Sequence, residues 1–302
     1  MTNVSKDIPC PHCHKTKTTK DGLRKTQNRG LIQRYRCKGC GHRFVPDDGF
    51  YRMRNAPQKI TLCLDLFYRG VSTRKIQEHL QAFYPHNSSH KSIYKWVVKY
   101  SRMISAFTDS LGLQIGQEIQ ADEMEYHRRL GRNTHGIDRN WFMDIIDCKT
   151  RFMVASEYVQ SRSQEEIKRL MLRARCKTGV QVKVCTTDAF MAYENIVEKS
   201  FGYNNRIGAY NVKHKKVNAS RGEGFNCPIE RLHNTIRQRT KTFRGFHGSV
   251  ASANAIMKGM EIYYNFIRKH QAIGKCPYEL ATSLKLETSN KWLELIWMAV
   301  MV

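Results

Sequence analysis

Two short cysteine pairs, Cys10-Pro-His-Cys13 and Cys37-Lys-Gly-Cys40, constrain the first part of this chain more than any other feature. A Cys-x-x-Cys turn points two thiolates at one cation, and a second such turn completes a tetrahedron around Zn²⁺. The 23 residues between Cys13 and Cys37 make a slightly longer loop than this pattern usually carries. Thr16 to Thr19 and Gln33 to Arg36 can pair as a hairpin between the turns, which predicts a zinc ribbon over residues 1–56. A redox pair or a coincidence would not produce two matched pairs. His12, His14 and His42 lie beside the cysteines but are surplus to a four-sulfur site, and read as surface or supporting groups.

Charge then speaks about partners. The 302 residues hold 51 Lys+Arg against 26 Asp+Glu, a net charge of +25. Such a chain is drawn to polyanions, and nucleic acid is the obvious one inside a cell. The ribbon shares this bias, with thirteen Lys and Arg against four Asp in residues 1–56. An apolar content of 41% is enough for a real core. No apolar run approaches the roughly 18–20 residues of a membrane span, and the first residues lack the apolar stretch of a signal peptide. Ten cysteines without a secretory signal argue for metal ligands and buried thiols over disulfides. The expectation is a cytoplasmic, nucleoid-associated protein with no membrane partner.

Residues 57–110 read as three short helices. Pro57 opens one, with Ile60, Leu64 and Phe67 on one stripe and Gly70 ending it. Ser72 caps a second, with Ile76, Leu80 and Phe83 inward. Asn87-Ser88-Ser89 caps a third, with Ile93, Trp96, Val97 and Tyr100 inward and Lys91, Lys95 and Lys99 outward. This order predicts a helix-turn-helix with the three lysines on DNA. Any small helical bundle gives similar stripes.

The period changes over residues 111–282. Strands are expected at Glu118–Tyr126, Trp141–Asp147 and Arg151–Tyr158, then a helix from a Ser161 or Ser163 cap to Cys176. A fourth strand at Val180–Thr186 ends at Asp188, a helix follows from Ala189 to Lys199, another starts at Pro228, and the last spans Val250 to Arg268. The layout is α/β with a mixed sheet and flanking helices. Acids are scarce here, so their positions inform. Asp122 lies within the first strand, Asp188 at the end of the fourth, and Glu230 in the first turn of the Pro228 helix. The first and fourth strands can lie side by side, and three converging carboxylates are what two hard Mg²⁺ ions require. Separately, Asp122 could pair with an arginine, Asp188 could cap a turn, and Glu230 could complement a helix dipole. Asp144 and Asp147 are runner-up acids, Asp147 being the better candidate to start the hairpin turn.

At these residues the chain resembles insertion-sequence DDE transposases, which share an RNase H-like fold with retroviral integrases. The resemblance rests on Asp122-Glu123 in a strand, on Thr187-Asp188-Ala189-Phe190-Met191-Ala192-Tyr193, and on Asn226-Cys227-Pro228-Ile229-Glu230-Arg231. Arg237 stands seven residues beyond Glu230, where the family often has a basic residue, and Arg237 to Phe246 resembles its basic continuation. The resemblance covers most of residues 10 to 280. It implies an Asp122, Asp188, Glu230 triad holding two Mg²⁺ or Mn²⁺ ions, cleavage at the element's ends, and strand transfer by the freed 3′-hydroxyl. It also implies that the ribbon and helices hold terminal repeats, that target DNA is the second partner, and that the working unit is at least a dimer. The 41 residues between Asp188 and Glu230 exceed many relatives, so an insertion is expected somewhere within residues 204–224. Glu223, in Arg-Gly-Glu-Gly, is a weaker third acid.

Ile229, Leu232, Ile236 and Phe243 form the expected buried stripe of the Glu230 helix, with His233, Arg237, Lys241 and Arg244 on a neighbouring cationic face. Lys213, Lys215, Lys216 and Arg221 are expected along the DNA backbone. Two other functions stay open: a nuclease of the same fold without strand transfer, and a non-enzymatic zinc-ribbon regulator derived from a transposase. Residues 283–302 form a tail of no assigned role, with an amphipathic helix from Lys291 for packing or self-association.

Overall fold

The computed structural model describes residues 8–26, 29–84, 88–129, 136–218, 227–243 and 245–301. The cysteine turns flank a small antiparallel sheet of β1 (Thr18–Thr26), β2 (Gly30–Cys37) and β3 (Arg43–Phe44). The expected hairpin between the turns is present, but its ladder begins at Thr18↔Cys37, leaves Thr16 outside, and runs on to Thr26↔Gly30. Cys10, Cys37 and Phe44 make a minor core of their own, separate from the main one.

The main core begins at Phe50, whose ring lies 5.2 Å from that of Tyr100 at a tilt of 32°, and takes in three helices. These are α1 (Pro57–Tyr68), α2 (Thr73–Phe83) and α3 (His90–Thr108). Ser72 Oγ accepts from Lys75 N and Ser89 Oγ from Ser92 N, so both capping serines act as their positions predict. Trp96 and Tyr100 are buried. Phe83 is not: it is 69% exposed, because the α2 stripe closes at Leu80 one turn earlier.

The second layer is a five-stranded mixed sheet in the order β12-β9-β4-β7-β8. Its strands are β4 (Glu118–Glu125), β7 (Trp141–Asp147), β8 (Met153–Val159), β9 (Val184–Thr187) and β12 (Lys213–Lys216). β7 runs antiparallel to both β4 and β8, whereas β9 runs parallel to both β4 and β12. The side ribbons are β5 (Arg128–Arg129) with β6 (Ile137–Asp138), and β10 (Tyr203–Asn204) with β11 (Ala209–Tyr210). Residues 213–216 are therefore an edge strand of this sheet. Asp147 does start the hairpin turn, accepting from Thr150 N at 2.7 Å and Thr150 Oγ1 at 2.6 Å.

Helices cover both sheet faces. One rung aligns Asp122, Asp144 and Ser156 on the face covered by α6 (Cys227–Thr240) and α7 (Val250–Ile262). The next rung aligns Glu123, Met143 and Glu157 on the face of α4 (Gln164–Thr178), which Ser163 caps. The expected helix after Asp188 is shorter: a 3-10 turn at Met191–Tyr193 precedes α5 (Ile196–Phe201). α7 ends in a π turn at Tyr263–Ile267, where buried Asn265 accepts from Met153 N and donates to Met153 O. Asp109, Lys177, Lys258 and Glu261 form a charge network tying α3, α4 and α7 together. α8 (Tyr278–Ala281) and α9 (Lys291–Met301) complete the fold. Far from hanging free, α9 packs on α1 and α3, with Trp292, Leu295 and Ile296 in the main core.

Candidate functional site

The four cysteines converge as their spacing predicts. Cys10 and Cys40 sulfurs are 3.6 Å apart, Cys13 and Cys37 sulfurs 3.5 Å, and all four lie within 4.8 Å of one another. His14 N donates to Cys10 O and Gly41 N to Cys37 O, closing two matching turns through left-handed residues at His14 and Gly41. The backbone N–H of Cys40 draws the Cys37 thiol down to about 6. The His42 N–H acts the same way on Cys40, but burial and the three neighbouring sulfurs overcome it and push Cys40 up to about 12. Four sulfurs so close cannot all ionise without a cation, and the set is compatible with structural zinc. The neighbouring rings of His12 and His42 stack 5.5 Å apart, outside the ligand group.

A second site lies where β4, β9 and α6 meet. β4 and β9 pair as far as Gln120↔Thr186, so Asp122 stands two positions further along β4 and Asp188 lies just past the end of β9 beside it. Asp188 Oδ1 accepts from Phe190 N at 3.0 Å as the chain leaves the sheet. Ile229 N donates to Gln120 Oε1 at 3.2 Å, which pins the start of α6 to β4 and brings Glu230 to its side. A cleft of about 290 Å³ results, lined by Asp122, Glu123, Glu230, His233, Asn234 and Arg237. Asp188 is outside that lining, and its charge acts on Glu123 and Tyr193. Among the described residues only the cysteines form a ligand group of three or more within 4.8 Å, so the three carboxylates stand further apart than that.

Burial raises Asp122 to about 7, against the opposing pull of His233 and of the Glu123 N–H. Asp144, wholly buried, is also raised by burial. Burial disfavours a charged His233, yet Asp144 and Asp122 together raise it above its ordinary value. His233 is only 3% exposed, with Nε2 3.0 Å from Asp144 Oδ1 and Nδ1 3.5 Å from Asp122 Oδ2. It thus leaves the cationic face assigned to it from sequence and joins the buried stripe. The signal was available: position 233 is four beyond Ile229 and three before Ile236, both core residues.

Behind the cleft, Tyr193 Oη donates to Glu123 Oε2 at 2.7 Å and Arg162 Nη1 to Oε1 at 3.1 Å. The Arg162 guanidinium lies 4.3 Å from the Trp141 ring centre and 4.2 Å from that of Phe190. This cation–π sandwich ties the segment after Asp188 to β4 and β7. Nothing in the sequence marks Arg162 or Gln120, because their partners are remote along the chain.

The basic residues singled out from sequence fall on three surfaces. Lys91, Lys95 and Lys99 are exposed along one side of α3. Lys213, Lys215 and Lys216 project from edge strand β12, with Lys216 paired to Glu194. Arg237 and Lys241 line a cleft of about 530 Å³ with Tyr126, Asn234, Gln238 and Thr240, adjoining the carboxylates through Asn234 and Arg237. Arg221, Glu223 and Arg244 lie outside the described residues. Among the described residues no helix is long and apolar enough to cross a membrane. Compared with known proteins, the chain matches no family model and none of the curated proteins.

Proposed function

We propose that this chain is a DNA transposase of the Asp-Asp-Glu type, with an RNase H-like catalytic layer behind a zinc ribbon and a helix-turn-helix. The observation that carries the reading is the gathering of scarce acids in a chain of net charge +25: Asp122 on β4, Asp188 just past the end of the adjacent β9, and Glu230 lining the same cleft as Asp122. The mixed sheet, with helices on both faces, supports the RNase H-like assignment. The donors suit a hard divalent cation, being carboxylate oxygens. In this reading Asp122, Asp188 and Glu230 hold two Mg²⁺ or Mn²⁺ ions, which when bound supply an activated attacking oxygen and charge for the leaving one.

The residues around them do the rest. Arg237 and Lys241 neutralise the strand along α6 and keep the scissile phosphate beside Glu230. Lys91, Lys95, Lys99 and the β12 lysines hold flanking duplex by its phosphates, and the ribbon adds its own positive surface. Joining two ends requires at least two copies of the chain. The test is Mg²⁺-dependent nicking and joining on the repeats that flank the gene, with wild type and Asp188→Ala compared. Joined products lost in the variant would establish the function. Cleavage without joining would make it a nuclease, and tight binding without cleavage by either protein would leave a DNA-binding regulator.

A further inference from the structure

Asp122 and Asp144 face each other across β4 and β7, and the His233 ring reaches both. Nε2 is at hydrogen-bond distance from Asp144 Oδ1, while Nδ1 stands 3.5 Å from Asp122 Oδ2 as a longer polar contact. The second Asp122 oxygen, Oδ1, accepts from Glu123 N at 2.8 Å. Both oxygens of Asp122 therefore have a fixed neighbour. Asp144 has no access to the cleft, and its Oδ2 finds no hydrogen-bond partner among the described residues.

A buried carboxylate with an unsatisfied oxygen is costly, and apolar residues of like volume would fill the same space at no such cost. What the Asp144–His233 pair supplies, and two leucines would not, is a polar ring edge held beside Asp122. The same ring ties α6 to β4 one turn after Glu230, so it also sets the distance between the two cleft carboxylates.

We infer that Asp144 and His233 are a positioning pair: Asp144 fixes the imidazole, and the imidazole fixes the Asp122 carboxylate for a divalent cation. The inference rests on the metal-binding role given to Asp122 above. Neither residue is a ligand, and the pair acts through Asp122. Groups that orient a ligand typically govern about 10–100-fold in metal affinity.

Mn²⁺ titration of the full-length, zinc-loaded chain, followed by the electron paramagnetic resonance of free Mn²⁺, tests it without any turnover. Asn at 233 can place its amide near the Nδ1 position and keep Asp122 held, whereas Gln reaches toward Nε2 and leaves Asp122 free. His233→Gln should weaken the Asp188-dependent site about tenfold or more, and His233→Asn by no more than about threefold. Asp144→Leu, which never touches the cleft, should weaken it like His233→Gln. Asp144→Asn, which keeps an acceptor for Nε2 while losing the same charge, should stay near wild type. Thermal melts run alongside confirm that each variant is folded at the titration temperature. Equal affinities for Gln and Asn at 233, or an Asp144→Leu site as tight as wild type, would overturn the inference and leave the metal reading intact. A wild-type chain with no Mn²⁺ site sensitive to Asp188→Ala would overturn both.

Discussion

Gly259 on α7 offers a sharp test of how the helical segment seats against the sheet layer. A Cβ built there would lie 1.9 Å from Tyr68 Oη, 2.2 Å from Tyr68 Cζ and 2.4 Å from Ser101 Oγ. All three contacts are impossible, so Gly259→Ala must displace Tyr68 of α1 and Ser101 of α3, which share a buried 2.6 Å hydrogen bond. Overpacking of this kind costs about 1–3 kcal/mol. Losing the buried bond adds about 1–3 kcal/mol, and better helix propensity gives back about 1 kcal/mol. The expected net loss is about 3 kcal/mol, from the middle of those ranges. Denaturant melts should show it directly, and thermal melts as a fall of about 2–4 °C per kcal/mol. In the Gly259→Ala background, Tyr68→Phe removes the nearest clashing atom, so the double-mutant cycle should show at least about 1 kcal/mol of favourable coupling. An alanine variant as stable as wild type, with no coupling to Tyr68, would refute the three-helix contact.

Four further outcomes are expected. Cys37→Ser or a strong chelator should release one zinc per chain by atomic absorption and expose the β1 and β2 amides to exchange. The main unfolding transition should barely move, because the ribbon's minor core is separate. Burial raises Asp122 to about 7 from an ordinary value of about 3.9, so the native metal-free chain binds the extra proton. That contribution is fully present below pH of about 3.9 and is lost as pH rises through about 7; Asp122→Asn should flatten denaturant-measured stability across that window. Arg162→Ala strips Glu123 of its cation and loosens the segment after Asp188. The cost should be about 1–2 kcal/mol in denaturant melts, modest because Arg162 is itself well exposed, with faster proteolysis near Phe190. If α3 lies on DNA, Lys91→Ala and Lys95→Ala should each lower the salt slope of binding by about one; unchanged slopes would place the duplex elsewhere.

Local signals were legible in the sequence. The Cys-x-x-Cys turns, the serine caps at positions 72, 89 and 163, and the strands β4, β7 and β8 are each readable within a few residues. That the strands of Asp122 and Asp188 can lie side by side was open from the sequence, and the pairing of β4 with β9 supplies it, with Asp188 one residue past the end of β9. What escaped depends on remote partners. β12 reads Lys-His-Lys-Lys, with no apolar alternation, and becomes a strand only because β9 offers an open parallel edge. His233 and Asp144 look like any polar residues until β4, β7 and α6 bring them together. The Asp109–Lys177–Lys258–Glu261 network joins positions up to 152 residues apart, and no window of sequence contains it. Phe83 fits the period of α2 but lies beyond the point where the helix has anything to pack against.

The seating of α9 bears on how such a chain comes into being. Asn290 donates to Thr61 Oγ1 and Trp292 to Asp65 Oδ1 across 229 and 227 positions, and Ile296 lies against Gly49. During synthesis the apolar sides of α1 and α3 emerge long before the segment that covers them. At about 5–20 residues per second, that gap keeps them uncovered for roughly 11–46 seconds. Throughout that interval the nascent chain presents sticky, strongly basic surface in a compartment full of polyanions. Its earliest competitor for correct folding is therefore its own environment, and any factor that shields α1 until translation passes Trp292 should raise the yield of native protein.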